Sequence, residues 1–355
     1  VLKQLKRYIA LLLAMVMVCA MALTGCAGKK DSSENTASNE EPYSRDIFAM
    51  DTYMTVSAYG DTGEKAVDAA VKEINRLDAL LSTGKDSSEV SELNRNDGGK
   101  LSADTNALMD AALDLYESTD HVFDITIYPV MKLWGFTDQN YKVPSEGDLK
   151  AALTLVDAST LDYDKGKKTV AFTVDGTQID FGGIAKGYTS ATVAQLYRDL
   201  GVTSGLVNLG GNVQTVGFKP DGTEWRIGIQ DPEDENDMLG VVQTHDAAVI
   251  TSGGYERNFE EDGVVYHHII DPATGHPADN GLISVTIVSE DGTLADGLST
   301  SLFIMGKAGA IEYWKAHSKD FDFVLCEDDG TLVVSKGLKD KFTPKDETAK
   351  VEYVS

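Results

Sequence analysis

Ile179-Asp180-Phe181-Gly182-Gly183-Ile184-Ala185-Lys186-Gly187-Tyr188 is the stretch from which the fold is read. An apolar run enters a glycine pair and continues into an amphipathic pattern, so a strand, a tight turn and a helix are expected in that order. Such a turn exposes backbone N–H groups and lets a bound anion approach closely, which suits a phosphate.

The flanks extend that reading. Val170 to Ile179 read as strands around an Asp175-Gly176 turn, and Tyr188, Val193, Leu196, Tyr197 and Leu200 recur at helical spacing before Gly201 stops the helix. Gly205 to Asn212 follows as a buried strand ending in a second glycine pair. Two glycine turns joined through one helix imply a single cleft wall.

Toward the N-terminus, Tyr43 to Tyr59 alternates like one strand and Glu64 to Leu81 like an amphipathic helix. Ser82 to Glu89 reads as a loop whose Ser88 caps a short helix, and Asn106 to Ser118 as a further helix. Val122 to Pro129 and Leu133 to Phe136 form an aromatic-rich core region in which Asp124, set among apolar residues, requires a partner.

Toward the C-terminus, Trp225 to Pro232, Ala248 to Arg257 and Val264 to Pro272 read as strands. Alternation in the last puts His267 and His268 on opposite faces, so one histidine is aimed at any cleft. In Leu294 to Phe303, Asp296 and Thr300 fall four residues apart and share a helix face. A carboxylate and a hydroxyl aimed at one point suit Mg or Ca, whereas a capping Asp with a back-bonded Thr is the structural alternative.

At 355 residues with a formal net charge of -26, the chain can bury a large core and is ill suited to a nucleic-acid backbone. An anionic ligand must be held locally by N–H groups, a metal or a few cations. Cys19, Cys26 and Cys326 have no metal-type spacing. Lys3, Lys6 and Arg7 precede an apolar run from Tyr8 to Leu23, and Leu23-Thr24-Gly25-Cys26 is similar to a bacterial lipobox. The organisation expected is a lipoprotein signal peptide over 1–25, a disordered polar tether over 26–42, lipid on Cys26, and a catalytic domain over 43–355.

Together the sequence resembles the ApbE family of FAD:protein FMN transferases. The resemblance rests on Ala49 to Thr52, Phe123-Asp124 with Trp134-Gly135-Phe136, Asp180 to Tyr188, Asn208 to Asn212, Thr251 to Arg257, His268 to Pro272, and Ala295-Asp296 with Thr300. It implies an α+β fold, a single two-lobed domain with the nucleotide cleft between its lobes. It further implies Mg-dependent transfer of FMN from FAD to a Thr or Ser hydroxyl of an envelope protein, with AMP released, at the extracytoplasmic face of the membrane. Met50, Val122, Phe123, Asp124, Asp180, Lys186 and His268 would contact the flavin nucleotide. The Gly183 carbonyl, Asp296 and Thr300 would hold Mg, and Asp180 and Asp296 would be the catalytic pair. An FAD-binding lipoprotein and an FAD pyrophosphatase are the alternatives. The sequence departs from the family pattern at Asp51, where Gly is usual, and at Gly84, where many members carry an aromatic that stacks on the flavin.

Overall fold

The computed structural model describes residues 41–355. The expected signal peptide, Cys26, and all of the tether except Glu41 and Pro42 lie outside the described residues, which belong to one compact unit. No helix among them is long and apolar enough to cross a membrane.

A nine-stranded sheet organises the molecule. Its first two strands, Tyr43–Ala49 and Thr52–Ala58, are followed after a long excursion by Ser204–Leu209, Asn212–Gly217, Ala248–Gly253, Leu282–Ser289, Asp322–Glu327, Leu332–Ser335 and Val351–Val354. Neighbours in the sheet are neighbours in this sequence order, and all pairs are antiparallel except the last. The excursion carries most of the helices, which makes the fold α+β.

The pleat sorts the sheet's side chains between its two faces. Val213, Val249, Val324 and Val334 face a three-stranded sheet that contributes Trp225, Ile227, Val242 and Phe342. On the opposite face Ile250, Val285, Ile287 and Phe323 meet the helices Ala103–Ser118 and Gly292–His317. Ile74 and Leu77 of the helix Gly63–Leu81 are fully buried, at the spacing the sequence predicts. Each such side chain contributes roughly 1.5–3 kcal/mol by leaving water.

Three expectations are corrected. Tyr43 to Tyr59 is a hairpin and not one strand: Ala49 pairs with Thr52, and Met50 and Asp51 make the turn at φ 47° and 58°. Positive φ at both loop residues matches the twist of the strands, at the cost of a conformation that Gly adopts more readily than Asp. Val170 to Ile179 is a strand only over Thr169–Phe172. Beyond it, the Asn94 amide satisfies both the N–H and the carbonyl of Ile179, at 2.7 and 2.9 Å, and Asp180 N–H goes to Ile125 O, so no ladder continues into the glycine turn. The strand expected over Val264 to Pro272 ends at His267.

Candidate active site

The excursion and the C-terminal half meet in a cleft of about 700 Å³. Every candidate the sequence offers in the described residues lines it: Met50, Val122, Phe123, Asp124, Asp180, Gly183, Lys186, His268, Asp296 and Thr300. The hairpin turn forms one lip with Phe48, and the Ser82 to Lys85 loop forms another. Asp78 joins these lips, accepting Met50 N–H at 3.3 Å and Lys85 Nζ at 2.5 Å.

Two helices form the floor. The first, Ala185–Asp199, starts after the glycine pair, and the second is Gly292–His317. They touch where Gly187 faces Gly292 and Asp296: a Cβ on Gly187 would stand 2.2 Å from Gly292 O and 2.5 Å from Asp296 Cβ. Only a residue without Cβ permits that approach. The contact lets Gly187 N–H donate to Asp296 Oδ2 at 2.7 Å.

This geometry revises the anion-cradle reading. Gly187 N–H serves Asp296, and Gly182 N–H is taken by Asp180 Oδ1 at 2.9 Å. The glycine turn thus fixes two carboxylates at the cleft. Positive charge comes from the side chains of Lys186 and Arg257 on the wall.

Asp296 is not the helix cap. Asp291 Oδ1 accepts from Thr293 N–H at 2.8 Å and Leu294 N–H at 3.1 Å, and it fills that role. Asp296 is 5 % exposed, and burial pushes its carboxyl up to about 6 against the pull of Lys186 and the Gly187 N–H. Thr300, one turn on, has its hydroxyl 3.4 Å from Ser252 Oγ, which itself pairs with Ser299 Oγ at 2.7 Å. Back-bonding belongs to Ser299 and Ser301 in this turn. No cluster of three or more His, Cys, Asp or Glu suited to a metal occurs among the described residues, so a zinc-type centre does not fit. One buried carboxylate, one hydroxyl and a backbone carbonyl do fit a hard cation whose remaining ligands are phosphate or water.

Asp124 finds the partners it requires within the protein. Its Oδ1 accepts from Thr126 N–H at 2.7 Å and Thr126 Oγ1 at 2.5 Å, and its Oδ2 from Ala158 N–H at 3.1 Å. Burial raises its pKa while these donors oppose the rise. Its carboxylate therefore caps the Ile125–Ile127 turn and shapes the wall.

Of the two histidines only His268 lines the cleft, as expected, although the strand whose alternation suggested it ends at His267. His267 Nδ1 accepts Ile269 N–H at 3.2 Å, which leaves Nε2–H to donate to Ala278 O at 3.0 Å. His268 faces the cleft, with Nδ1 3.1 Å from Arg257 O. A carbonyl only accepts, so Nδ1 carries the proton and Nε2 is left as an acceptor. Desolvation and the Arg257 guanidinium push His268 down to about 3.

Sequence reasoning gave no role to Gly187, Ser252, Glu256 or Arg257. Glu256 lines the cleft, its pKa raised by desolvation against Lys186 and Arg257. Asp291 was readable as a cap, since Asp-Gly-Thr precedes an apolar run. The pairing of Gly187 with Asp296 spans 109 residues and leaves no local signal.

The ApbE family model matches residues 50–325. A Treponema pallidum protein named FAD:protein FMN transferase is 34% identical over 313 residues, covering 82% of this chain and 84% of its own. A Klebsiella pneumoniae protein of the same name is 31% identical, covering 87% and 96%. Among solved structures, the ApbE protein of Thermotoga maritima superposes with a TM-score of 0.79 at 32% identity, over 84% of this chain and 98% of that one. The flavin transferase ApbE of Vibrio cholerae gives 0.77 at 27% identity, over 85% and 99%. With a match over most of the folded region, in sequence and in structure, this chain belongs to the ApbE family.

Proposed function

We propose that the cleft binds FAD and that the enzyme transfers its FMN moiety to a hydroxyl of another protein, with AMP as the leaving group. The observation that carries this reading is the convergence of Lys186, Arg257, Asp180, Asp296, Thr300 and His268 on one cleft in a chain belonging to the ApbE family. In a protein of net charge -26, two cations on one wall offer a local place for a pyrophosphate.

Gly183 O, Asp296 and Thr300 are the residues that would hold Mg. When bound, the ion neutralises charge on the pyrophosphate and on departing AMP. The chain's own groups supply the rest. Lys186 and Arg257 hold the phosphates, and Phe123 with Met50 packs the flavin side of the cleft. The acceptor's Thr or Ser oxygen forms a bond to the FMN phosphorus as the bond to the AMP phosphate oxygen breaks. Asp180, whose carboxylate is raised by burial, takes the hydroxyl proton. His268, which burial and the Arg257 guanidinium lower to about 3, serves as a hydrogen-bond acceptor.

The basic, apolar and Leu23-Thr24-Gly25-Cys26 segments support an extracytoplasmic enzyme anchored through lipid on Cys26 and acting on envelope proteins. Incubation with FAD, Mg and candidate acceptors, read by in-gel flavin fluorescence and by chromatography of AMP, tests the activity. Protein-bound flavin with stoichiometric AMP is expected. Intact FAD would make the chain a binder, and free FMN with AMP would make it a pyrophosphatase.

A further inference from the structure

Two amides on the strand Asn212–Gly217 are buried without partners. Asn212 is 1 % exposed with both Nδ2 and Oδ1 unmet, and Gln214, 2 % exposed, leaves Oε1 unmet. Unmet buried amides cost stability that an apolar side chain would not. They do not line the cleft, and they lie on the face of the strand opposite Val213, toward the two floor helices.

Their register relates them to the proposed cation site. Gln214 Oε1 lies 2.9 Å from where a Cβ on Gly292 would stand. Asn212 shares a strand face with Gln214, two residues away, and Asp296 lies one turn beyond Gly292 on its helix, so the two pairs pack in the same region. The Asn212 amide makes no hydrogen bond of good geometry, yet it is near enough to the Asp296 carboxyl to favour its charged form. Asp296 Oδ2 is already held by Gly187 N–H, which leaves Oδ1 to be steered.

We propose that Asn212 is a positioning residue for a hard divalent cation: its buried amide, behind the cleft wall, orients the Asp296 carboxylate so that the free oxygen points into the cleft. Asn212 acts through Asp296 and does not touch the nucleotide. This rests on the Mg reading of Gly183, Asp296 and Thr300 given above.

The test is calorimetric titration of Mg into the flavin-free protein, with thermal unfolding measured without Mg. Asn212→Leu keeps the side chain's approximate volume and removes the amide. It should retain the fold and bind Mg about 10-fold or more weakly. Gln214→Leu, one step further along the strand, should bind Mg as wild type does. A folded Asn212→Leu with wild-type Mg affinity would overturn the assignment, as would Gln214→Leu losing affinity equally. If Asn212→Leu does not fold, Asn212→Ser is read by the same criterion. Wild-type protein that binds no Mg would overturn the cation reading itself, whereas binding unchanged by Asn212→Leu overturns this inference alone.

Discussion

Asp296 Oδ2 accepts the backbone N–H of Gly187 at 2.7 Å, joining the second turn of one helix to the first turn of another. A helix N-terminus that ordinarily attracts a free anion is here committed to a carboxylate of the same chain. The positive end of the helix dipole holds Asp296 in place, and a cation held by Asp296 would in turn meet the phosphates. The glycine-rich stretch thus serves the nucleotide at one remove.

Gly187→Ala should break this arrangement. Its Cβ would fall 2.2 Å from Gly292 O, a backbone atom that cannot swing aside, so the helices must separate. Overpacking of this kind costs about 1–3 kcal/mol or more. The expected outcome is a lowered unfolding temperature together with at least a tenfold loss of flavin transfer; a variant with wild-type values for both would show that the helix contact is not rigid.

Asp291 and Asp296 should separate cleanly by substitution. Asp291→Ala removes the cap on the Gly292–His317 helix, costs about 1 kcal/mol of stability and leaves Mg dependence unchanged. Asp296→Asn keeps the size and an acceptor for Gly187 N–H but deletes the charge. Because the folded pKa of about 6 lies above the ordinary 3.8, stability from this carboxyl is lost as pH rises between those values. Above pH 6 and without Mg, Asp296→Asn should therefore melt at or above the wild-type temperature while losing Mg-stimulated AMP release. Ordinary turnover in this variant would remove Asp296 from the cation site.

Gly84→Tyr fills a place that the cleft leaves open. A Cβ there would meet only Ser82 Oγ, at 3.6 Å, and the loop lines the cleft. The added ring should leave the unfolding temperature unchanged and tighten flavin binding several-fold, in line with about 0.5–1.5 kcal/mol for a stacked aromatic pair. Fluorescence titration with FAD measures it; weaker binding would mean that the wider mouth accommodates something other than the flavin ring.

Cys26→Ala should release the protein from membranes into the soluble fraction. The proposal rests on Leu23-Thr24-Gly25-Cys26 behind a basic and apolar leader. Wild-type protein that carries no lipid at Cys26 by mass spectrometry would end it.

The sequence made the local elements legible where one face is buried and the periodicity is long. Ile74 and Leu77 lie on the predicted face of their helix, and Ser88 caps the short helix over Glu89–Arg95 by accepting Ser91 N–H at 3.0 Å. It misled where backbone groups find partners outside any ladder, as at Ile179, whose bonds go to the Asn94 side chain. An apolar run then looks like a strand although no strand pairs with it. The cleft residues were legible through the family pattern, but their division of labour was not. Asp124 read as a carboxylate in need of a partner and Asp296 as either a cation ligand or a cap, and only the donors around them separate a cap from a candidate ligand.

His268 carries a pH signature that tests the electrostatics of the cleft. Nδ1–H donates to Arg257 O at 3.1 Å, and desolvation, followed by the Arg257 guanidinium, pushes the imidazole from 6.5 to about 3. The folded pKa lies below the unfolded one, so the unfolded chain takes up this proton first as pH falls. Its contribution to stability is complete above about pH 6.5 and is lost as pH falls from there toward 3. His267, lowered by its own desolvation, adds a dependence of the same sign, so the His268 share must be isolated by difference. Wild type should lose stability between pH 6.5 and 4 more steeply than His268→Gln, measured by chemical unfolding at each pH. In the flavin-free protein the assigned His268 resonance should not titrate between about pH 5 and 8. Addition of ADP, which carries the pyrophosphate without the flavin, should offset the repulsion from Lys186 and Arg257 and raise the His268 pKa. A resonance that already titrates near 6.5 without nucleotide would show that His268 is solvated and that the two cations do not act on it.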